Sequence, residues 1–164
     1  FITIHGMDTK NFTLSLPDLP ATKAVAQAIA KSLRAGLTFY LHGDLGVGKS
    51  TLVRELLAGL GHTGAAKSPT YTLVETYTIA GLTINHFDLY RLTDPMELEF
   101  IGIRDYVTPE AVNFFEWADK GRGYVPTADV VLDFIFVEDG REVAFTANTA
   151  LGVDLIHALQ QVNL

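Results

Sequence analysis

The chain has 164 residues, 48% of them hydrophobic and 10% aromatic, with a mean hydropathy of +0.23. That composition excludes intrinsic disorder, and no apolar run approaches the roughly 20 residues that a bilayer crossing needs. Its 12 Lys plus Arg against 19 Asp plus Glu give a net charge of -7, which argues against strong unaided binding of nucleic acid. With no cysteine there is no disulfide framework, as suits a reducing compartment. Residues 1–6 lack the basic and apolar segments of a secretory leader. They are expected to be a cloning remnant before a native start at Met7, leaving 7–164 as one cytoplasmic domain.

Helical and strand periodicities alternate along the chain, the pattern of an α/β fold. Pro17, Asp18 and Pro20 punctuate the entry to a helix with Val25, Ile29 and Leu33 at four-residue spacing, stopped by Gly36. A short β run over 37–41 breaks at Gly43, and an amphipathic helix follows over 49–60, ended by Gly61. Residues 61–69, rich in Gly, Ala and Ser, read as a mobile loop. Two β-prone runs, 71–79 and 82–89, meet at Ala80-Gly81 and predict a hairpin. Asp94-Pro95 opens a short helix through Leu98 and Ile101, and the apolar run 112–115 reads as a buried strand. A loop over 121–126, strands over 130–137 and 142–146, and a helix over 151–161 complete the chain.

The run Gly43-Asp44-Leu45-Gly46-Val47-Gly48-Lys49-Ser50 matches the spacing G-x-x-x-x-G-K-[ST]. Glycines let the backbone turn so that successive N–H groups face phosphate oxygens, and the following helix adds its positive dipole end. Lys49 can reach the β- and γ-phosphates, and the Ser50 hydroxyl is placed for Mg2+. A strand before the loop and a helix after it meet the context this chemistry requires. Guanine readers carry [NT]-K-x-D; Thr9-Lys10-Asn11-Phe12 and Thr22-Lys23-Ala24-Val25 lack the aspartate, so ATP is the expected nucleotide. With only six arginines, no arginine-rich lid is visible.

Further candidates lie on the strands. Alternation places Ile84, His86 and Asp88 on one face, with Asp88 near the strand end, where a carboxylate can meet Mg2+. His86 with Asp88 makes a poor zinc site, and His86 is expected to be a hydrogen-bonded structural residue. Glu116 follows the buried strand, a position for ligand-facing carboxylates in open α/β sheets. Trp117 is the only tryptophan, and Ser68-Pro69-Thr70 occupies the loop as nucleotide-sensing hydroxyls do. A small phosphotransferase acting on a metabolite, or a nucleotide-gated binding module, would need the same cradle.

Taken together, the phosphate loop through Thr51, the stretches 67–75, 86–92 and 97–106, and Glu116-Trp117 resemble the bacterial TsaE (YjeE) family of tRNA threonylcarbamoyladenosine biosynthesis. The resemblance implies a three-layer P-loop NTPase fold with a mostly parallel central sheet and an added antiparallel hairpin. It implies that Lys49 binds phosphate, that Ser50 and Glu116 hold Mg2+, and that Asp88 acts at the metal or on the attacking water. Thr51 would support the loop, Ser68, Pro69 and Thr70 the switch, Trp117 the nucleotide pocket, and Leu19 to Thr22 would approach the adenine. The implied activity is ATP hydrolysis, weak alone, supporting turnover by a TsaB–TsaD pair that holds the tRNA. Two departures stand out: Ala118 where proline is frequent after Glu-Trp, and Ser50 where threonine is commoner.

Overall fold

The computed structural model describes residues 4–5 and 10–162. In chain order the elements are β1 (Ile4–His5), β2 (Asn11–Leu16), α1 (Leu19–Ser32), β3 (Thr38–His42), α2 (Lys49–Gly59), β4 (Val74–Ile79) and β5 (Leu82–Asp88). Then follow α3 (Glu97–Phe100), α4 (Ile103–Tyr106), β6 (Ala111–Glu116), a 3₁₀ turn at Ala118–Gly121, β7 (Val130–Val137), β8 (Gly140–Ala147) and α5 (Ala150–Gln161). Met7, read above as the native start, lies outside the described residues. Among the described residues, no helix is long and apolar enough to cross a membrane.

The strands form one sheet in the order β1-β2-β8-β7-β3-β6-β5-β4. Only the centre, β7-β3-β6-β5, is parallel; β1, β2, β8 and β4 pair antiparallel at the two edges. The sheet is therefore mixed, which corrects the expectation of a mostly parallel one. Part of the reason is local. Tight hairpins can join only antiparallel strands, and two lie wholly among the described residues: β4–β5, expected at Ala80-Gly81, and β7–β8, where Val137 pairs with Gly140. The second hairpin offers β8 as an edge for β2, a strand that the sequence reading did not assign. Its alternation buries Phe12, Leu14 and Leu16.

The sheet separates two apolar layers. On one side α1, α2 and α5 pack through Val25, Ile29, Leu52, Leu56, Ile156 and Leu159 onto Phe39, Leu41 and Phe114. On the other, α3 and α4 supply Leu98 and Ile103 to Phe87 and Phe115. Successive residues of β6 thus face opposite layers, Phe114 stacking on Phe39 at 4.6 Å and Phe115 on Phe87 at 4.3 Å. Full burial of β6 agrees with the apolar run read there.

Helix ends follow their capping chemistry. Asp18 caps α1 by accepting from the Ala21 N–H at 3.0 Å. α1 ends at Ser32, before Gly36, which instead turns the chain (φ +92) into β3. Thr149 caps α5, accepting from the Gly152 N–H and donating to Asp129 Oδ1 at 2.7 Å. Asp129 Oδ2 also accepts from the Thr38 N–H at 2.8 Å, so one carboxylate ties the starts of β3 and α5 together.

Candidate functional site

Three parallel strands, β3, β5 and β6, end side by side, with Leu41 and Asp88 both paired to Glu116. The crevice beyond the carboxyl ends of such strands is where open α/β sheets take ligands. Residues 43–48 fill it, linking β3 to α2. Two glycines make that path possible. Gly43 (φ +142) lies so close to the chain that an added Cβ would stand 2.7 Å from the Phe134 carbonyl oxygen and 2.8 Å from Val47 Cγ1. Gly48 (φ +116) is the N-cap of α2 and offers no side chain to its first-turn N–H groups. α1 and α5 each have an oxygen cap; α2 keeps its positive end uncapped at the mouth of the crevice.

Around that end the charges are concentrated and buried. Lys49, Asp88, His86 and Glu116 are all buried. The Lys49 ammonium donates to the Gly43 carbonyl and sits 3.9 Å from the centre of the Trp117 ring. Burial lowers its pKa, against the pull of Glu116, Asp88, Asp44 and Asp119. Glu116 Oε2 accepts from the Ser50 hydroxyl at 2.7 Å and meets His86 Nε2 at 2.6 Å. Burial pushes the Glu116 carboxyl up, but His86, Ser50 and Lys49 outweigh it and hold the group below the usual glutamate range. Asp88 goes the other way: burial raises its pKa and Glu116 adds to the rise, against a hydrogen bond from the Tyr90 N–H. His86 is the hydrogen-bonded residue expected, and its partner is the carboxylate of the site itself.

Three cavities surround the loop. One, of about 280 Å³, gathers Leu45, Gly46, Gly48, Lys49, Ser50, Thr51, Thr70, Asp88, Glu116 and Trp117, nearly all the residues read as phosphate and metal site. A second, of about 320 Å³, reaches Gly43, Asp44, Lys49 and Trp117. The third, of about 210 Å³, holds Leu19 and Thr22 with Gly46, Val47, Gly48 and Thr51. Val47 lines it but is buried in the core. Of the switch triplet only Thr70 lines the metal-side cavity; Pro69 is buried and exposed Ser68 bonds the Thr70 hydroxyl at 2.8 Å. Trp117 takes a left-handed conformation (φ +59), and Ala118 starts the 3₁₀ turn buried against the second core layer. Sequence reasoning missed Arg54, Phe134 and Arg141, which line these cavities from outside the motif.

A divalent cation can be held here by oxygens of Ser50, Glu116 and Asp88. Among the described residues no cluster of three or more His, Cys, Asp or Glu forms a self-contained metal cage.

Comparison with known proteins shows the family. Residues 16–143 match the family model "Threonylcarbamoyl adenosine biosynthesis protein TsaE". The tRNA threonylcarbamoyladenosine biosynthesis protein TsaE of Haemophilus influenzae is 54% identical over 119 residues, 73% of this chain and 75% of that one. Its namesake from Bacillus subtilis is 35% identical over 127 residues, 77% and 79% of the two chains. The crystal structure of Bacillus subtilis YdiB superposes with a TM-score of 0.72 at 26% identity, covering 98% of this chain and 97% of that one.

Proposed function

This chain belongs to the TsaE family, and on that premise we propose that it is a Mg2+-dependent ATPase of P-loop NTPase type serving tRNA threonylcarbamoyladenosine biosynthesis. The observation that carries this is the uncapped N-terminus of α2, wrapped by positive-φ glycines and faced by a buried lysine and two buried carboxylates. A helix end of that kind leaves N–H groups for phosphate oxygens. Lys49 would exchange the Gly43 carbonyl for the β- and γ-phosphates and neutralise charge that builds during transfer. Ser50 and Glu116 would hold Mg2+, with the Ser50 hydroxyl turning away from Glu116 to do so. Bound Mg2+ supplies charge neutralisation at the phosphate oxygens. His86 keeps the Glu116 carboxylate oriented.

Asp88, paired in register with Glu116, is the group for the metal or the attacking water. Water adds at the γ-phosphorus, the bond to the β-phosphate oxygen breaks, and ADP and phosphate leave. Thr70 would report the γ-phosphate to the 61–70 segment, and Trp117 would wall the site beside Lys49.

The partners in this proposal are a TsaB–TsaD pair that holds the tRNA, in keeping with the net charge of -7. The docking face would be the outward side of the 93–106 segment, where Met96 and Phe100 are exposed, together with the switch loop at Ser68, Pro69 and Thr70. The setting in this proposal is cytoplasmic. The test is ATP hydrolysis by the purified chain, alone and with TsaB–TsaD and tRNA, beside Lys49→Ala. Stimulation by the partners that disappears in the variant is the expected result. Stimulation by a small metabolite instead would replace the proposal with a phosphotransferase.

A further inference from the structure

The stretch 61–70, which leads from the end of α2 to Thr70, is held at few points. An added Cβ on Gly61 or Gly64 would meet nothing within 4 Å, so packing does not press this path into place. Among the described residues, no backbone–backbone hydrogen bond involves 63–66. One side chain supplies the fastening that the backbone lacks. Tyr77, on β4 and in register with Ile84 of β5, is buried in the helix-side core. Its hydroxyl accepts from the Lys67 N–H at 3.0 Å and donates to the Lys67 carbonyl at 3.2 Å. A single hydroxyl thus satisfies both backbone polar groups of one residue, as a neighbouring strand would. The ring is itself braced. His62 meets it edge-on at 5.1 Å, and the His62 N–H donates to the Leu57 carbonyl of α2 at 3.0 Å.

Three residues beyond this clamp lies Thr70, which lines the metal-side cavity. Between them Pro69 is buried, and the Ser68 hydroxyl meets that of Thr70 at 2.8 Å. The far end of the segment is tied as well. The Leu73 N–H donates to the Pro69 carbonyl and the Asp88 N–H to the Leu73 carbonyl, both at 2.9 Å. Thr70 therefore sits between two anchors. One is Asp88, a residue of the site itself; the other is Tyr77, which lines none of the three cavities around the phosphate loop.

We propose that Tyr77 is a positioning residue for ATP hydrolysis: its hydroxyl clamps Lys67 and so holds Thr70 where the γ-phosphate would arrive. This rests on the ATPase reading of the site and adds a residue that acts on it only through the 61–70 segment. Holding a reacting group's contacts in place beforehand lowers the barrier to the chemical step. ADP has no γ-phosphate, so its binding should not depend on the clamp.

The native chain, Tyr77→Phe, Thr70→Ala and the double variant are compared, with kcat and KM measured for Mg–ATP and Kd for Mg–ADP. Tyr77→Phe removes the hydroxyl alone and keeps the ring beside His62. It should lower kcat about tenfold, the scale of two lost neutral hydrogen bonds, and leave the Mg–ADP Kd within about twofold. In the Thr70→Ala background the same change should cost less than about twofold, because a positioning residue acts through the residue it positions. Equal losses of kcat in the two backgrounds would overturn the proposal, as would an unchanged kcat in Tyr77→Phe. A matching loss of ADP affinity would overturn it too and mark Tyr77 as a support of the fold. Hydrogen exchange in the native chain gives a second arm that needs no variant to fold. The Lys67 amide should exchange more slowly than those of 63–66, and equal rates would overturn the clamp. Failure of the native chain to hydrolyse ATP would refute the ATPase reading itself, a result distinct from all of these.

Discussion

Replacing Gly43 by alanine is the sharpest single perturbation of the loop. Two costs add. The backbone at φ +142 is a region that L side chains rarely adopt, worth of order 1–3 kcal/mol. The new methyl would stand 2.7 Å from the Phe134 backbone oxygen and 2.8 Å from Val47 Cγ1; crowding of that kind costs roughly 1–3 kcal/mol. The Val47 side chain could rotate, but the Phe134 oxygen belongs to β7 and has little room to move. The sum, about 2–6 kcal/mol, is a large part of the roughly 5–15 kcal/mol that folded domains possess. At about 2–4 °C per kcal/mol for chains of this size, Tm should fall by roughly 4–24 °C. Urea unfolding with an unchanged m-value would identify the loss as native-state stability. Any relaxation that spares stability must push the loop outward and spoil the proposed phosphate cradle. A Gly43→Ala protein with native Tm and native ADP affinity would refute the reasoning.

Other outcomes follow from the same geometry. Asp88→Ala should abolish hydrolysis while circular dichroism and Tm stay near native, since Asp88 serves the site; collapse of the fold would contradict that role. Glu116→Ala should shift the Mg2+ concentration needed for nucleotide binding upward by about tenfold or more, the scale of a lost charged contact, and an unchanged Mg2+ titration would remove Glu116 from the metal. Gly152→Ala would put a methyl 2.0 Å from the Asp129 carbonyl oxygen and should lower Tm with nucleotide binding preserved in the folded fraction, because that contact is remote from the loop. Glu97 accepts from the Thr93 and Asp94 N–H groups, which hold its carboxyl below the usual range. Its stabilising effect is therefore present above the unfolded-state pKa and lost as pH falls through the folded one. The stability gap between the native chain and Glu97→Gln should close on acidification, and a constant gap would exclude a stabilising role for these hydrogen bonds.

The parts of the site that were legible in the sequence are those whose chemistry is local. Gly43, Gly48, Lys49 and Ser50 of the proposed phosphate cradle lie within one run of eight residues, so spacing alone reveals them. Asp88 and Glu116 were readable because each terminates a strand, although their pairing across β5 and β6 came only with the fold. His86 illustrates the limit: its burial was foreseeable, but its partner is 30 residues away and no spacing rule connects them. The parallel character of the sheet was overestimated for the same reason. Adding β2 beside β8 joins segments more than 120 residues apart, and nothing local announces that pairing. Arg141 reaches the loop through this long-range arrangement, so only the folded chain could place it there. The left-handed Trp117 and the turn at Ala118 were likewise hidden, because neither residue type signals such a backbone.

The central claim, that hydrolysis and not mere occupancy is what this chain contributes, is tested most directly by counting rounds of tRNA modification. TsaB–TsaD and tRNA are combined with this chain and either ATP or a non-hydrolysable analogue, every other component held constant. The account predicts many threonylcarbamoyl groups transferred per TsaB–TsaD pair with ATP, and about one round or fewer with the analogue or with Lys49→Ala. Equal numbers of rounds with ATP and with the analogue would contradict it and make the chain a nucleotide-gated binding module.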